Sequence, residues 1–206
     1  PNGKALNESD WNSESKHPYS YAKTEAERRA WKYAKEVDMN LVVINPTAVI
    51  GPYFHRHTPS TILFDKLLKG ELSVLPPQTF GYVDVRDVAL GHLKAYENDN
   101  AEGRHILCTK CLDGFELMDL IQELEPELKL PSKIAPMWQM QVFARWQATK
   151  ALFGYTPLIS PETVKEYMGK ITNYDSSKAK NVLGWNPMEL KDSLRDTLSW
   201  IKQTLH

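Results

Sequence analysis

From residue 19 to about 38, small and apolar side chains recur at Ala22, Ala26, Ala30, Tyr33, Ala34 and Val37. That period predicts a helix with one buried face of small residues. Glu25 with Arg29, and Lys32 with Glu36, stand four apart on its outer face. The pattern then changes. Leu41, Val42, Val43 and Ile44 form a short β-branched run stopped by Asn45-Pro46, which reads as a strand buried on both faces in a parallel sheet. A helix is expected over about 60–68, closed by Gly70, and a short strand over 80–83. Asp84 caps the next helix, whose apolar face would be Val85, Val88, Ala89, His92, Leu93 and Tyr96. A strand over 105–108 and a helix over about 115–124 follow. Helices and strands thus alternate from residue 19 to about 125, which predicts an α/β fold with a mostly parallel sheet. Beyond Pro126 the chain reads as helices and loops. An aromatic-rich helix covers about 137–153, a short one starts near Ser160, and one capped by Asp175 ends at Gly184. A last helix carries Leu190, Leu194, Leu198, Ile201 and Leu205 at helical spacing. No internal repeat or heptad seam is present.

Composition narrows the classes. Of 206 residues 42% are hydrophobic and 25% charged, with 25 Lys+Arg against 26 Asp+Glu. That is a globular balance, with no basic footprint for nucleic acid or an anionic membrane and no apolar run long enough to span a bilayer. Two cysteines make no disulfide framework and fit a reducing, cytoplasmic setting. The chain opens Pro1-Asn2-Gly3-Lys4 with no Met, and its first fifteen residues are polar and loop-like. It therefore reads as a fragment.

The first chemical candidate is Tyr19-Ser20-Tyr21-Ala22-Lys23. On a helix Tyr19 and Lys23 share a face one turn apart. A lysine so placed favours the phenolate of a tyrosine, whose ordinary pKa is about 10, and its ammonium can hold a sugar hydroxyl. Spacing alone leaves the alternative open, because a surface tyrosine and a solvated lysine four apart occur in many helices.

Three further segments keep order with this pair. They are Asn45-Pro46-Thr47-Ala48-Val49-Ile50-Gly51-Pro52, then Tyr82-Val83-Asp84-Val85-Arg86-Asp87-Val88-Ala89 with His92, then Tyr174-Asp175-Ser176-Ser177-Lys178-Ala179 with Leu183-Gly184-Trp185-Asn186-Pro187. Together they resemble the extended short-chain dehydrogenase/reductases of the NAD-dependent epimerase/dehydratase superfamily. The nearest look is to the dihydroflavonol-reductase-like branch that also holds 3β-hydroxysteroid dehydrogenases. The resemblance implies the C-terminal part of a Rossmann-type sheet (residues 1–52 and 80–110) with a smaller, mainly helical substrate-binding region (53–79 and 111–206). It implies an NAD(P)-dependent oxidoreductase acting on a small-molecule carbonyl or alcohol, with NADP favoured over NAD. Tyr19 would be the acid/base and Lys23 its partner on the nicotinamide ribose. The backbone at Pro46, Thr47, Ala48 and Val49 would meet the carboxamide, and Ser60 or Thr61 the pyrophosphate. A homodimer packed through the Tyr/Lys helix, with Trp31 at the contact, is a further implication. Two other readings stay open: a nucleotide-sugar epimerase or dehydratase sharing the fold and the pair, and a non-catalytic member using the fold for binding.

The departures from the family pattern are the glycine-rich phosphate loop and the upstream catalytic Ser/Thr. No two glycines lie closer than about ten residues, so the loop is absent, and Ser13 and Ser15 are not assigned the Ser role. The chain by itself is therefore expected to bind dinucleotide poorly. Asp84 and Asp87 read as helix-start residues rather than catalysts, and His92 as a satisfied core histidine. His55 and His57, after Gly51-Pro52, and Trp138 in the aromatic helix are the substrate candidates. Cys108-Thr109-Lys110-Cys111 has redox or zinc spacing, but no second pair completes a metal site, so Cys108 reads as a small hydrophobe ending a strand. No metal site is expected.

Overall fold

A computed structural model of the chain describes residues 4–155 and 159–204. The opening Pro1, Asn2 and Gly3, and Leu205 of the final helix, lie outside the described residues. Helix α1 spans Pro18–Glu36 and leads into strand β1, Val42–Pro46. Thr47 separates β1 from β2, Ala48–Ile50. Helix α2 (Pro59–Leu68), strand β3 (Phe80–Asp84) and helix α3 (Val85–Glu97) follow, then strands β4 (Gly103–Leu107) and β5 (Lys110–Leu112). Five helices complete the described chain: α4 (Gly114–Leu124), α5 (Met137–Ala151), α6 (Pro161–Tyr167), α7 (Ser177–Leu183) and α8 (Leu190–Thr204).

The sheet forks. β1 pairs in parallel with β4, from Val42↔Gly103 to Pro46↔Leu107. Pro46 has no N–H to give, and the Thr47 N–H donates to the Leu107 carbonyl at 3.0 Å instead. Past this point the two strands part and β3 fills the gap. β2 runs parallel to β3 (Ala48↔Tyr82), and β5 runs antiparallel to it (Gly81↔Cys111). Gly81 sits at the tip of the wedge. A Cβ there would lie 2.9 Å from both Cys108 Sγ and the Thr47 methyl, so only glycine lets the strands close on β3.

Two hydrophobic clusters back the sheet. Ile50 and Tyr82 meet Phe64, Leu112, Ile121, Leu194, Leu198 and Ile201 under α2, α4 and α8. Val83 and Leu107 meet Ala101, Ala179, Leu183 and Trp185. Both clusters draw residues from either side of the expected 1–52/80–110 and 53–79/111–206 division. Trp185 is fully buried, its indole N–H donating to the Asp87 carbonyl at 2.9 Å. The closing Leu183-Gly184-Trp185 segment thus ties α7 to α3, with Gly184 in the left-handed conformation (φ 60°) that ends α7.

Several local expectations are corrected. On α1 the stripe Ala22, Ala26, Ala30, Tyr33 and Val37 is exposed and only Ala34 is buried. The helix instead turns Thr24, Glu27 and Trp31 toward the strands, and the ion pair at its start runs Glu25–Arg28 (2.6 Å). β1 is half-buried rather than sealed on both faces. On α3 the buried positions are Asp87 and Gly91, while Ala89, His92, Leu93 and Tyr96 are exposed. Gly91 lets the helix come down on Leu107, and this close approach, not the apolar period, selects the buried face. His92 is therefore no core histidine. Its Nδ1 lies 2.8 Å from the Val88 carbonyl on the solvent side. β2 and β5, three residues each, carry too little pattern to be foreseen, and the N-cap of α7 is Ser176, not Asp175.

Candidate functional site

The first turn of α1 is set by Pro18, whose fixed φ suits a helix start. Tyr19 and Lys23 stand one turn apart, with the Lys23 Nζ 5.7 Å from the Tyr19 ring centroid. Lys23 lines a cleft of about 1130 Å³ together with Pro46, Thr47, Asn45 and Glu27. Tyr19 is not in that wall and is 64% exposed. The sequence-predicted pair is thus brought together at the cleft, with the lysine inside and the phenol outside its lining.

A buried-side network holds the cleft floor. Glu27, one further turn along α1 from Lys23, accepts from Arg104 Nε (2.7 Å), Trp31 Nε1 (3.1 Å) and Asn45 Nδ2 (3.1 Å). Arg104 stacks its guanidinium 4.1 Å over the Trp11 ring and donates to the Glu8 and Asp10 carbonyls. The polar opening segment is thereby pinned to β4, with Glu8 also accepting from the Ile106 N–H at 3.0 Å. Helix α6 closes the other side. Tyr167 OH lies 2.5 Å from Ser20 Oγ, His17 Nε2 lies 3.2 Å from Thr163 Oγ1, and Asn12 donates to Glu166 at 2.8 Å. Burial pushes the Tyr167 phenol up; burial also acts to raise the Glu166 carboxyl, but the Asn12 hydrogen bond and nearby positive charge hold it below its usual range. Sequence reasoning missed Glu27, Arg104, Trp11 and Tyr167. Glu27 had a signal, because it continues the 19/23/27 spacing; Tyr167 meets Ser20 across 147 positions and had none.

The remaining candidates lie apart from the cleft wall. Ala48 and Val49 are half-buried in β2 against Tyr82 and Val83. Thr61 is 0% exposed and its hydroxyl is closed into the α2 cap, accepting from the Thr58 N–H at 2.8 Å and donating to the Thr58 carbonyl. Its hydroxyl is thus engaged within the helix cap, and Ser60 beside it is half-buried. His55 is exposed, and His57 Nε2 lies 3.8 Å from Asp65 Oδ2. Trp138 is 63% exposed on α5, and α6 rather than α5 supplies the cleft wall.

For a nicotinamide dinucleotide the residues present fit one end. Asn45 Oδ1 is buried with no partner, beside Pro46 and Thr47 in the cleft wall, an acceptor of the kind a primary carboxamide needs. No glycine-rich turn cradles a pyrophosphate. Among the described residues no group of three or more His, Cys, Asp or Glu is placed to hold a metal, and no helix is long and apolar enough to cross a membrane.

Comparison with known proteins agrees with this architecture. The model of the NAD dependent epimerase/dehydratase family matches residues 2–108. The chain is 42% identical over 119 residues to cinnamoyl-CoA reductase 2 of Medicago truncatula, covering 57% of this chain and 35% of that protein. It is 37% identical over 148 residues to cinnamoyl-CoA reductase CAD2 of the same plant, covering 68% and 44%. The matches thus span less than half the length of these curated relatives. Among solved structures, Gre2 from Candida albicans in complex with NADPH superposes with a TM-score of 0.66 at 26% identity, over 98% of this chain and 58% of that one.

Proposed function

This chain belongs to the NAD dependent epimerase/dehydratase family, and from that premise we propose that it serves an NAD(P)-dependent reductase of small-molecule carbonyls. The observation that carries the reading is the Tyr19–Lys23 pair beside the wall formed by Asn45, Pro46 and Thr47. When bound, the dinucleotide supplies the hydride. Tyr19 donates its phenolic proton to the carbonyl oxygen as charge develops there. Lys23, inside the cleft, holds the nicotinamide ribose and stabilises the phenolate left behind. Asn45 Oδ1 and the backbone at Pro46 and Thr47 would receive the carboxamide, with Ala48 and Val49 behind them in β2, so this chain's own residues would meet the nicotinamide end. NADP is favoured over NAD by the likeness to the NADPH complex of Gre2. Two free cysteines support a reducing, cytoplasmic setting. Nucleotide-sugar epimerisation or dehydration is the second reading, favoured by the family model itself. The exposed stripe Ala22, Ala26, Ala30 and Tyr33 supports a homodimer through α1, beside Trp31, whose indole N–H donates to Glu27.

The test is Tyr19→Phe in the natural gene product, assayed with bulky aromatic and alicyclic ketones, aldehydes and nucleotide sugars. Turnover falls about 10²-fold or more with cofactor affinity unchanged, since only proton transfer is lost. Lys23→Ala lowers both. Near-wild-type turnover in Tyr19→Phe overturns the assignment, and turnover confined to nucleotide sugars selects the second reading.

A further inference from the structure

The Cys-Thr-Lys-Cys segment takes on a new aspect at the fork. Cys108 follows β4 directly and is buried; Cys111 lies in β5 and is half-buried. Both are free, and their sulfurs are 3.6 Å apart. The fold creates this proximity. The Thr109 N–H donates to the Tyr82 carbonyl at 2.8 Å, turning the chain onto β3 so that Cys111 falls opposite Gly81. Gly81 carries no side chain, and the space above it is taken by Cys108 Sγ. Ser176 Oγ grips the Cys108 backbone on both sides, accepting from its N–H (2.9 Å) and donating to its carbonyl (3.2 Å). One thiol is therefore fixed on a buried residue, and the other belongs to a half-buried one.

We propose that Cys108 and Cys111 form a reversible oxidation site, closing to a disulfide when a hydroperoxide reaches Cys111. In the first step the Cys111 sulfur attacks the peroxide. An S–O bond forms, the O–O bond breaks, and hydroxide leaves to take up a proton as water, giving a sulfenic acid. In the second step the Cys108 sulfur attacks that of Cys111. The S–S bond forms, the S–O bond breaks, and the Cys108 proton leaves with the oxygen as a second water. Hydrogen peroxide is reduced by two electrons and the two thiols are oxidised by two.

The order of attack follows from the surroundings. The Cys108 S–H, donating to the neighbouring sulfur, lowers the Cys111 thiol to about 7, against burial and helped by the Tyr174 backbone. Cys108 is pushed up by the same contact and by burial, so it stays a thiol until the sulfenic acid forms. Closure requires the sulfurs to move from 3.6 Å to a bond of about 2.05 Å. Ser176 fixes the Cys108 backbone and β3 pairing fixes that of Cys111, so the movement falls to rotation of the two thiol side chains. A metal-binding role is not supported, since no third His, Cys, Asp or Glu joins the pair among the described residues. The inference does not depend on the reductase reading.

The test uses the reduced 206-residue chain, treated with hydrogen peroxide in native buffer, quenched, alkylated in denaturant and weighed intact. The expected product has lost two hydrogens and takes no alkyl group, and dithiothreitol restores two alkylatable thiols. Cys111→Ser leaves Cys108 unoxidised on the same timescale, and Cys108→Ser accumulates a dimedone-trapped sulfenic acid at Cys111. The wild type oxidises several-fold faster than in urea, where a thiol of ordinary pKa is mostly protonated at neutral pH. Two alkylatable thiols after treatment, a disulfide only between chains, Cys111→Ser oxidising as fast as wild type, or equal rates in urea and native buffer would each overturn the proposal.

Discussion

Replacing Asp84 with alanine removes the residue on which β3, α3 and α8 meet. Its carboxylate is 1% exposed. Oδ1 accepts from the Arg86 backbone N–H and Nε, both at 2.8 Å; Oδ2 accepts from Arg86 Nη2 at 2.9 Å and Ser193 Oγ at 2.5 Å. Burial alone would raise the carboxyl's pKa, but the Arg86 and Ser193 hydrogen bonds outweigh it and hold the group below the usual range. Alanine forfeits the N-cap of α3, about 1 kcal/mol. It also strands the Ser193 hydroxyl, itself buried, at about 1–3 kcal/mol. The Arg86 ion pair adds little, about 0–1 kcal/mol, because Arg86 is 34% exposed and keeps Asp196 at 2.7 Å. The expected loss is about 2–5 kcal/mol, a large part of a typical domain's roughly 5–15 kcal/mol. Urea unfolding followed by tryptophan fluorescence, with the buried Trp185 among the reporters, measures it. Ser193→Ala in the Asp84→Ala background should recover about 1–2 kcal/mol, because no hydroxyl is then left unpaired. A loss below about 1 kcal/mol, or full additivity of the two substitutions, would refute this account.

Gly91→Ala places a Cβ 2.5 Å from Cδ1 of the fully buried Leu107; overpacking outweighs the gain in helix propensity, for a net loss of about 1–2 kcal/mol, read as a lowered Tm. His105 is fully buried with neither ring nitrogen partnered, and burial followed by the Lys178 charge lowers its pKa. The unfolded chain then binds the proton more readily, so this contribution to stability is full above the ordinary histidine pKa of about 6.5 and is lost as pH falls below it. Urea midpoints between about pH 7 and 5 should show this slope in wild type and not in His105→Leu.

What could be read from the chain was what neighbours in sequence decide. Asp84 as a cap, the α8 apolar face and the Tyr19–Lys23 turn all rest on spacings of two to four residues. The Thr58/Thr61 reciprocal cap was equally local, and it was passed over because Thr61 was read as a ligand contact. What could not be read was set by distant partners. Arg104 selects Glu27 from 77 positions away, Tyr167 reaches Ser20 across 147, and Leu107 rather than the apolar period decides which side of α3 is buried. The fork itself was hidden because β2 and β5 are three residues long and carry no alternation to count.

That fork acts as a register lock. β1 and β2 are one backbone with a single residue, Thr47, between them, yet they are bonded to two different strands. A strand in a simple ladder can slip by two residues and keep the same faces inward. For β1 to slip along β4, β2 would have to slip equally along β3, or Thr47 would have to bulge into the space that the Gly81 backbone and Cys108 Sγ already crowd. The two ladders are coupled in series, each fixing the other's alignment. The cleft wall at Pro46 and Thr47 therefore sits at the joint of two ladders, and neither can shift without the other.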